Sequence, residues 1–219
     1  PGSRHPKRYQ DVEDLLAVAS EAHVGGMMAG KAGFVHLHVG DGARGLDLVR
    51  RALDDSELPA AVFNPTHVNR RRALFDEALG VAARGCVIDV TAFPVADDED
   101  AWPAEAALVR YLDAGLPPEH ITVSSDAGGC LPTFDAQGRV ARMDVGRPAA
   151  LAETLKRLLA TGQPLERVLP AFTSNVARHL LLPGKGRIAS GSDADLVVLD
   201  HEGGVRDVMA GGRWHVRQG

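Results

Sequence analysis

The chain has 219 residues, of which 45% are hydrophobic, with a formal net charge of −5 and a mean hydropathy of −0.08. That make-up belongs to a globular chain long enough to bury a core, and its acidic balance weighs against nucleic acid as a partner. No run approaches the roughly 20 apolar residues of a membrane span, the opening PGSRHPKRYQ lacks the apolar core of a signal peptide, and two cysteines are too few for a disulfide framework, so a cytoplasmic, reducing location is expected.

Taken in chain order, the elements alternate. Residues 12–23 carry apolar side chains at helical spacing. GFVHLHVGD (33–41) reads as a short strand, and GLDLVRRALDD (45–55) as a helix. AAVFNPTH (60–67) is strand-like, with Pro65 near its end. NRRRALFDEALGVAARG (69–85) is an amphipathic helix, with Asn69 expected as its N-cap and Gly85 as its stop. CVIDVTAF (86–93) is the third strand, AEAALVRYLDAG (104–115) a helix, and HITVSS (120–125) the fourth strand. Helices are expected at about 148–161 and 165–181.

Strands alternating with helices over short connections mean a parallel sheet with helical crossovers. A doubly wound sheet and a (β/α) barrel both fit. No glycine-rich phosphate fingerprint follows any strand, which lowers the nucleotide-binding version. The tail, 184–219, changes character to short strands broken by Gly and Asp; ADLVVLD and RWHVR read as strands and AGG (210–212) as a tight turn. Two units are therefore expected: residues 1–183 as an α/β part and 184–219 as a small β part.

In a parallel βα array the strands all finish on one face, where their end residues converge. His36 and His38 lie on the first strand, His67 ends the second, and Asp126 follows the fourth; Asp89 and Thr91 sit in the third. Imidazoles and a carboxylate on one rim form a ligand set for zinc or a related ion. His36 and His38 alternate with Leu37 and share a side, so His38, nearer the rim, is the expected ligand, and His36 a buried residue behind it. Each histidine taken singly also fits an ordinary core position. Asp126 is expected to ligate the metal and accept a proton, although a turn-forming Asp before glycines reads the same way. Gly128 and Gly129 are expected to let a substrate come close. Arg70, three residues after His67, suits a substrate carboxylate. Cys130 is expected to form part of the pocket wall, and Cys86 to lie in the core.

These segments together, HLHVGD, PTHVNR, SSDAGG and the tail GKGRIASGSDADLVVLD, resemble the amidohydrolase superfamily, and within it the isoaspartyl (β-aspartyl) dipeptidases. PTHVNR and SSDAGG in that order are the more specific signal; the tail is general to the superfamily. The resemblance runs from about Asp14 to the C-terminus. It implies a (β/α)8 barrel with a small β-sandwich, and two zinc ions at the barrel mouth. His38 and His67, on strands five and six, are then ligands of the second zinc; Asp126, on strand eight, binds the first and shuttles the proton. Arg70 holds a substrate carboxylate, Cys130 stands where the family has a substrate-contacting serine, and Arg4 aligns with a second substrate-binding arginine.

The implied reaction is hydrolysis of the isopeptide bond of a β-aspartyl dipeptide by a metal-bound hydroxide, in a protein that assembles as a homo-oligomer. The family's first-strand His-x-His and its strand-four lysine have no counterpart here. The chain also opens without a methionine, so it reads as the C-terminal half of a barrel, strands five to eight, followed by sandwich strands. Open sheet edges in such a piece predict self-association, and the activity of the piece alone is left open. Two other functions fit the same residues: an amidohydrolase acting on a cyclic amide or an N-acyl amino acid, and a degenerate barrel serving as a non-catalytic module.

Overall fold

The computed structural model describes residues 11–134 and 139–217. Helix α1 (Val12–Ala29) starts where the Asp11 side chain accepts a hydrogen bond from the Asp14 amide at 3.0 Å and stops at Gly30, whose φ of 60° is left-handed. It runs six residues beyond the expected end at residue 23. Gly26 explains the extension, because a Cβ there would stand 2.5 Å from the Cα of Gly33. The helix can therefore continue only as bare backbone against the chain entering strand β1 (Val35–His38).

Helix α2 (Asp47–Asp54) leads to a 3-10 turn and strand β2 (Phe63–Thr66). Helix α3 (Arg72–Ala83) buries Leu74, Phe75, Ala78, Val81 and Ala82, one face at 3.6-residue spacing. Strand β3 (Ile88–Thr91), helix α4 (Ala104–Asp113) and strand β4 (Ile121–Ser124) follow. In α4, Ala104, Ala107, Leu108 and Tyr111 make the same kind of stripe. Fully burying one such side chain, Phe75 for instance, is worth about 1.5–3 kcal/mol.

Strands β1 and β2 pair in parallel, as do β3 and β4. All four residues of β2 and of β3 are buried, as parallel strands covered on both faces must be, whereas β1 exposes alternate residues. The backbone ladder is interrupted between β2 and β3. Pro65, with no N–H to donate, lies in β2 at this seam. Side chains bridge it instead: Asn64 Nδ2 donates to the Val87 carbonyl at 2.6 Å, and Thr66 Oγ1 to Asp89 Oδ2 at 2.6 Å. Thr122 and Ser124 of β4 donate to the same carboxylate at 2.6 and 2.5 Å, so Asp89 ties three strands together. Burial raises the pKa of Asp89, and the hydroxyl bonds from Ser124, Thr122 and Thr66 oppose that rise. The result is a partial βα barrel arc with its core between the sheet and its helices.

An antiparallel hairpin, β5 (Cys130–Phe134) and β6 (Val140–Val145), follows β4 and was not expected from the sequence. Helix α5 (Ala149–Ala160) matches its expected span closely. The single helix expected over 165–181 is broken into α6 (Leu165–Val168), a 3-10 turn over Leu169–Phe172, and α7 (Ser174–His179). Pro170 accounts for the break, since it has no amide to continue the helical ladder.

The tail forms one three-stranded antiparallel sheet, β7 (Leu196–Leu199), β8 (Val205–Ala210) and β9 (Arg213–Val216). The turn expected at 210–212 joins β8 to β9, with Gly211 and Gly212 at φ of 55° and 76°, the paired positive values of a type I′ hairpin. The described residues give this sheet no second layer, so a sandwich is not formed within them.

Candidate active site

Strands β1 to β4 deliver their end residues to one rim. His38 closes β1, and His67 follows β2 directly with φ 64°, a left-handed conformation that turns the chain sharply into a 3-10 turn over Val68–Arg70. The turn brings the His67 ring against its neighbours: Nε2 lies 3.0 Å from His38 Nδ1, and Nδ1 lies 2.8 Å from Thr91 Oγ1. The rings of His38 and His67 meet edge to face, centroids 4.8 Å apart. His67 is buried, and burial, then the Arg70 guanidinium, lowers its pKa to about 4, with the Asp126 carboxylate pulling the other way. At neutral pH His67 is an uncharged imidazole with a lone pair to give.

His36 is placed differently from the expectation. It is exposed, not buried, and its Nδ1 sits 2.5 Å from Asn64 Oδ1 across the β1–β2 pair. It shares the face of His38, with ring centroids 5.1 Å apart. That face is open: β1 exposes His36 and His38 and half-buries Val35 and Leu37 on the other side.

Asp126 has φ 46° and is half-buried. The two glycines after Asp126 differ: a Cβ on Gly128 would meet nothing within 4 Å, whereas Gly129 is crowded. A Cβ on Gly129 would stand 2.6 Å from the Asp126 carboxylate, and one on Gly146 would stand 2.1 Å from the Asp126 carbonyl oxygen. The bonds Gly128 N–H to Gly146 O (3.0 Å) and Gly146 N–H to Gly129 O (2.9 Å) zip this turn to the base of the β5–β6 hairpin. The space at Gly129 and Gly146 is thus filled by the chain itself.

His67, Arg70, Thr91 and Asp126 line one cleft of about 1120 Å³, with Arg71 and Arg147 on its walls. Arg70 is mostly buried; its guanidinium donates to the Val39 carbonyl at 3.2 Å, and its Nε lies 3.6 Å from an Asp41 carboxylate oxygen. Cys130, expected on the pocket wall and as a substrate contact, is exposed at the start of β5 and is not one of the cleft-lining residues; Leu131 is. Strand alternation explains the exchange, since consecutive residues face opposite ways. Arg4 lies outside the described residues.

The donor set can be tested against zinc. Two imidazole nitrogens bound to one tetrahedral ion at 2.0–2.1 Å lie roughly 3.3 Å apart, and the 3.0 Å between His38 Nδ1 and His67 Nε2 suits that spacing. Their chemistry fits as well, both being imidazoles and His67 neutral. Among the described residues no group of three His, Cys, Asp or Glu side chains stands close enough to hold an ion. These residues therefore offer one edge of a coordination sphere, with Asp126 in the same cleft.

The sequence reading missed Thr91 as a working partner of His67, and Asn69 behind it. Thr91 was visible only as a polar residue near a strand end, and Asn69 was expected to cap a helix. The helix instead starts after Arg71, without a side-chain cap, and Asn69 is fully buried.

A sheet of parallel strands with imidazoles at its C-terminal rim defines a class, the α/β proteins that work at the mouth of a βα barrel. Within that class the chain belongs to the amidohydrolase family, whose model matches residues 35–215. It is similar to the β-aspartyl dipeptidase of the thermophilic, keratin-degrading Fervidobacterium islandicum AW-1 in complex with a β-Asp-Leu dipeptide: 36% identity, TM-score 0.87, covering 97% of this chain and 56% of that one. A second structure of the dipeptidase from the same organism gives 35% identity and a TM-score of 0.80 over 94% of this chain and 52% of that one. An amidohydrolase from Thermotoga maritima MSB8, at 18% identity and a TM-score of 0.56 over 94% of this chain and 53% of that one, shares the fold. The chain spans about half the length of these relatives. No helix among the described residues is long and apolar enough to cross a membrane.

Proposed function

We propose that this chain carries the C-terminal half of a zinc-dependent β-aspartyl dipeptidase site, with β1 to β4 as strands five to eight of a (β/α)8 barrel and the tail sheet as part of a β-sandwich. The observation that carries the reading is the pair His38 Nδ1 and His67 Nε2, 3.0 Å apart at the ends of adjacent parallel strands, beside a cleft that also holds Arg70 and Asp126. The similarity to the Fervidobacterium dipeptidase supports the substrate class, and members of the family are generally metal-dependent.

In this reading His38 and His67 hold a zinc ion. Bound zinc supplies a Lewis acid for the scissile carbonyl and lowers the pKa of its water. Asp126 takes the proton from the attacking water on a carboxylate oxygen and delivers it to the departing amine. Arg70 pairs with a substrate carboxylate, and its fixed planar fork selects for that group. A cytoplasmic location and a homo-oligomeric assembly belong to the same proposal.

The test is hydrolysis of β-Asp-Leu, α-Asp-Leu, a cyclic amide and an N-acetyl amino acid by the protein from its full reading frame, with zinc. Cleavage of the β-linked dipeptide alone, lost in His67→Ala and with KM raised in Arg70→Ala, is expected. Preference for the cyclic amide or the N-acyl substrate makes it another amidohydrolase. No turnover with zinc bound makes it a non-catalytic module.

A further inference from the structure

We propose that Thr91 is the positioning residue for His67: its hydroxyl accepts the Nδ1 proton and keeps the Nε2 lone pair aimed at the point that His38 Nδ1 also faces. The inference rests on the reading of His67 as a metal ligand. An imidazole that gives one nitrogen to a cation carries its remaining proton on the other, and that N–H needs an acceptor to fix the ring and raise its basicity. The two nitrogens of His67 are divided in this way, Nδ1 at 2.8 Å from Thr91 Oγ1 and Nε2 at 3.0 Å from His38.

The acceptor is itself held in place. Asn69, two residues past His67, grips the Thr91 backbone at both ends: its Oδ1 accepts the Thr91 N–H at 2.8 Å, and its Nδ2 donates to the Thr91 carbonyl at 3.0 Å. This amide mimics a strand neighbour across the seam where β2 and β3 share no backbone ladder. Asn69 Nδ2 also donates to the Trp102 carbonyl at 2.8 Å, and the Trp102 N–H returns to the Asn69 carbonyl at 2.8 Å. Asn69 and Thr91 are 0% and 1% exposed, so water does not compete for these groups. His67 and Asn69, two residues apart in the chain, thus both bond Thr91 across the seam. These two anchors flank the turn in which His67 holds its left-handed backbone, a conformation that non-glycine residues adopt only at a cost.

Thr91→Val keeps the shape and deletes the acceptor; Thr91→Ser keeps the hydroxyl. Zinc affinity is measured for each full chain by competition with a chromophoric chelator, beside the melting temperature of the metal-free protein. Thr91→Val is expected to weaken zinc binding roughly 10–100-fold, with Thr91→Ser recovering most of it. A merely structural role would instead lower the metal-free melting temperature and leave the affinity of the folded protein unchanged. Equal affinity in Thr91→Val and wild type, with wild-type binding abolished by His67→Ala, overturns the role of Thr91. Wild-type binding that survives His67→Ala overturns the ligand reading instead. Should Thr91→Val not fold, 15N spectra of the zinc-loaded wild type decide: a slowly exchanging proton on His67 Nδ1 supports the proposal, and an unprotonated or fast-exchanging Nδ1 overturns it.

Discussion

Replacing Asp89 by Ala would remove the acceptor shared by the hydroxyls of Thr66, Thr122 and Ser124. Asp89 is 3% exposed, and Thr66 and Thr122 are 1% and 7% exposed, so the stranded hydroxyls have little access to water. Each buried donor left without a partner costs about 1–3 kcal/mol. The sum is an upper bound, because hydroxyls rotate toward other acceptors and the desolvation of the carboxylate is relieved. A net loss of about 3 kcal/mol is expected, which lowers Tm by roughly 6–12 °C for a chain of this size. Asp89→Asn should lie nearer wild type, since the amide offers one acceptor and one donor to hydroxyls that can reverse.

The pH dependence separates the two carboxamide and carboxylate forms. A carboxyl whose folded pKa is raised contributes stability that is present below its unfolded pKa, about 3.9, and lost as pH rises through the folded value. Wild type should therefore lose stability relative to Asp89→Asn as pH rises from about 4 toward neutrality. Thermal melts by circular dichroism across that range test both points. A Tm for Asp89→Ala within about 2 °C of wild type, or parallel pH profiles for wild type and Asp89→Asn, would refute the account of this carboxylate as the knot of three strands.

Two further outcomes are expected. His179 packs on Phe34 at 4.1 Å, its Nε2 is buried without a partner among the described residues, and burial lowers its pKa to about 4 from 6.5. The unfolded chain takes up a proton there before the native one does, so this stability is present above 6.5 and is lost as pH falls toward 4. His179→Phe should make the acid side of the stability profile shallower, with the matching contribution of His67 still visible; an unchanged acid profile would count against the burial argument. Cys130 is exposed, whereas Cys86 is buried with its thiol pushed up to about 12, so a thiol reagent should titrate one cysteine in the native protein and both in denaturant. Rapid reaction of both in the native protein would show that the core around Cys86 opens.

The alternation of strand and helix was legible in the sequence, because burial on a helix or strand is written in local periods of about 3.6 and 2 residues. The apolar stripes of α3 and α4 and the Gly211–Gly212 turn are short-range patterns of this kind. So were the strand-end positions of His38 and His67, since parallel topology fixes which end of each strand reaches the rim. What escaped was set by residues far apart in sequence. Asn69 is an unremarkable polar residue before a helix until β3 is placed beside it, and only then do its amide atoms meet the Thr91 backbone 22 residues on. The two glycines after Asp126 looked alike as room for a ligand, but the space at Gly129 is filled by the aspartate itself while that at Gly128 is open. The exposure of His36, the seam between β2 and β3, and the depth at which Asp89 lies likewise depend on which strands become neighbours. Local chemistry chose the elements; hydrogen bonds and burial between distant segments, which no short window contains, decided how the rim is braced.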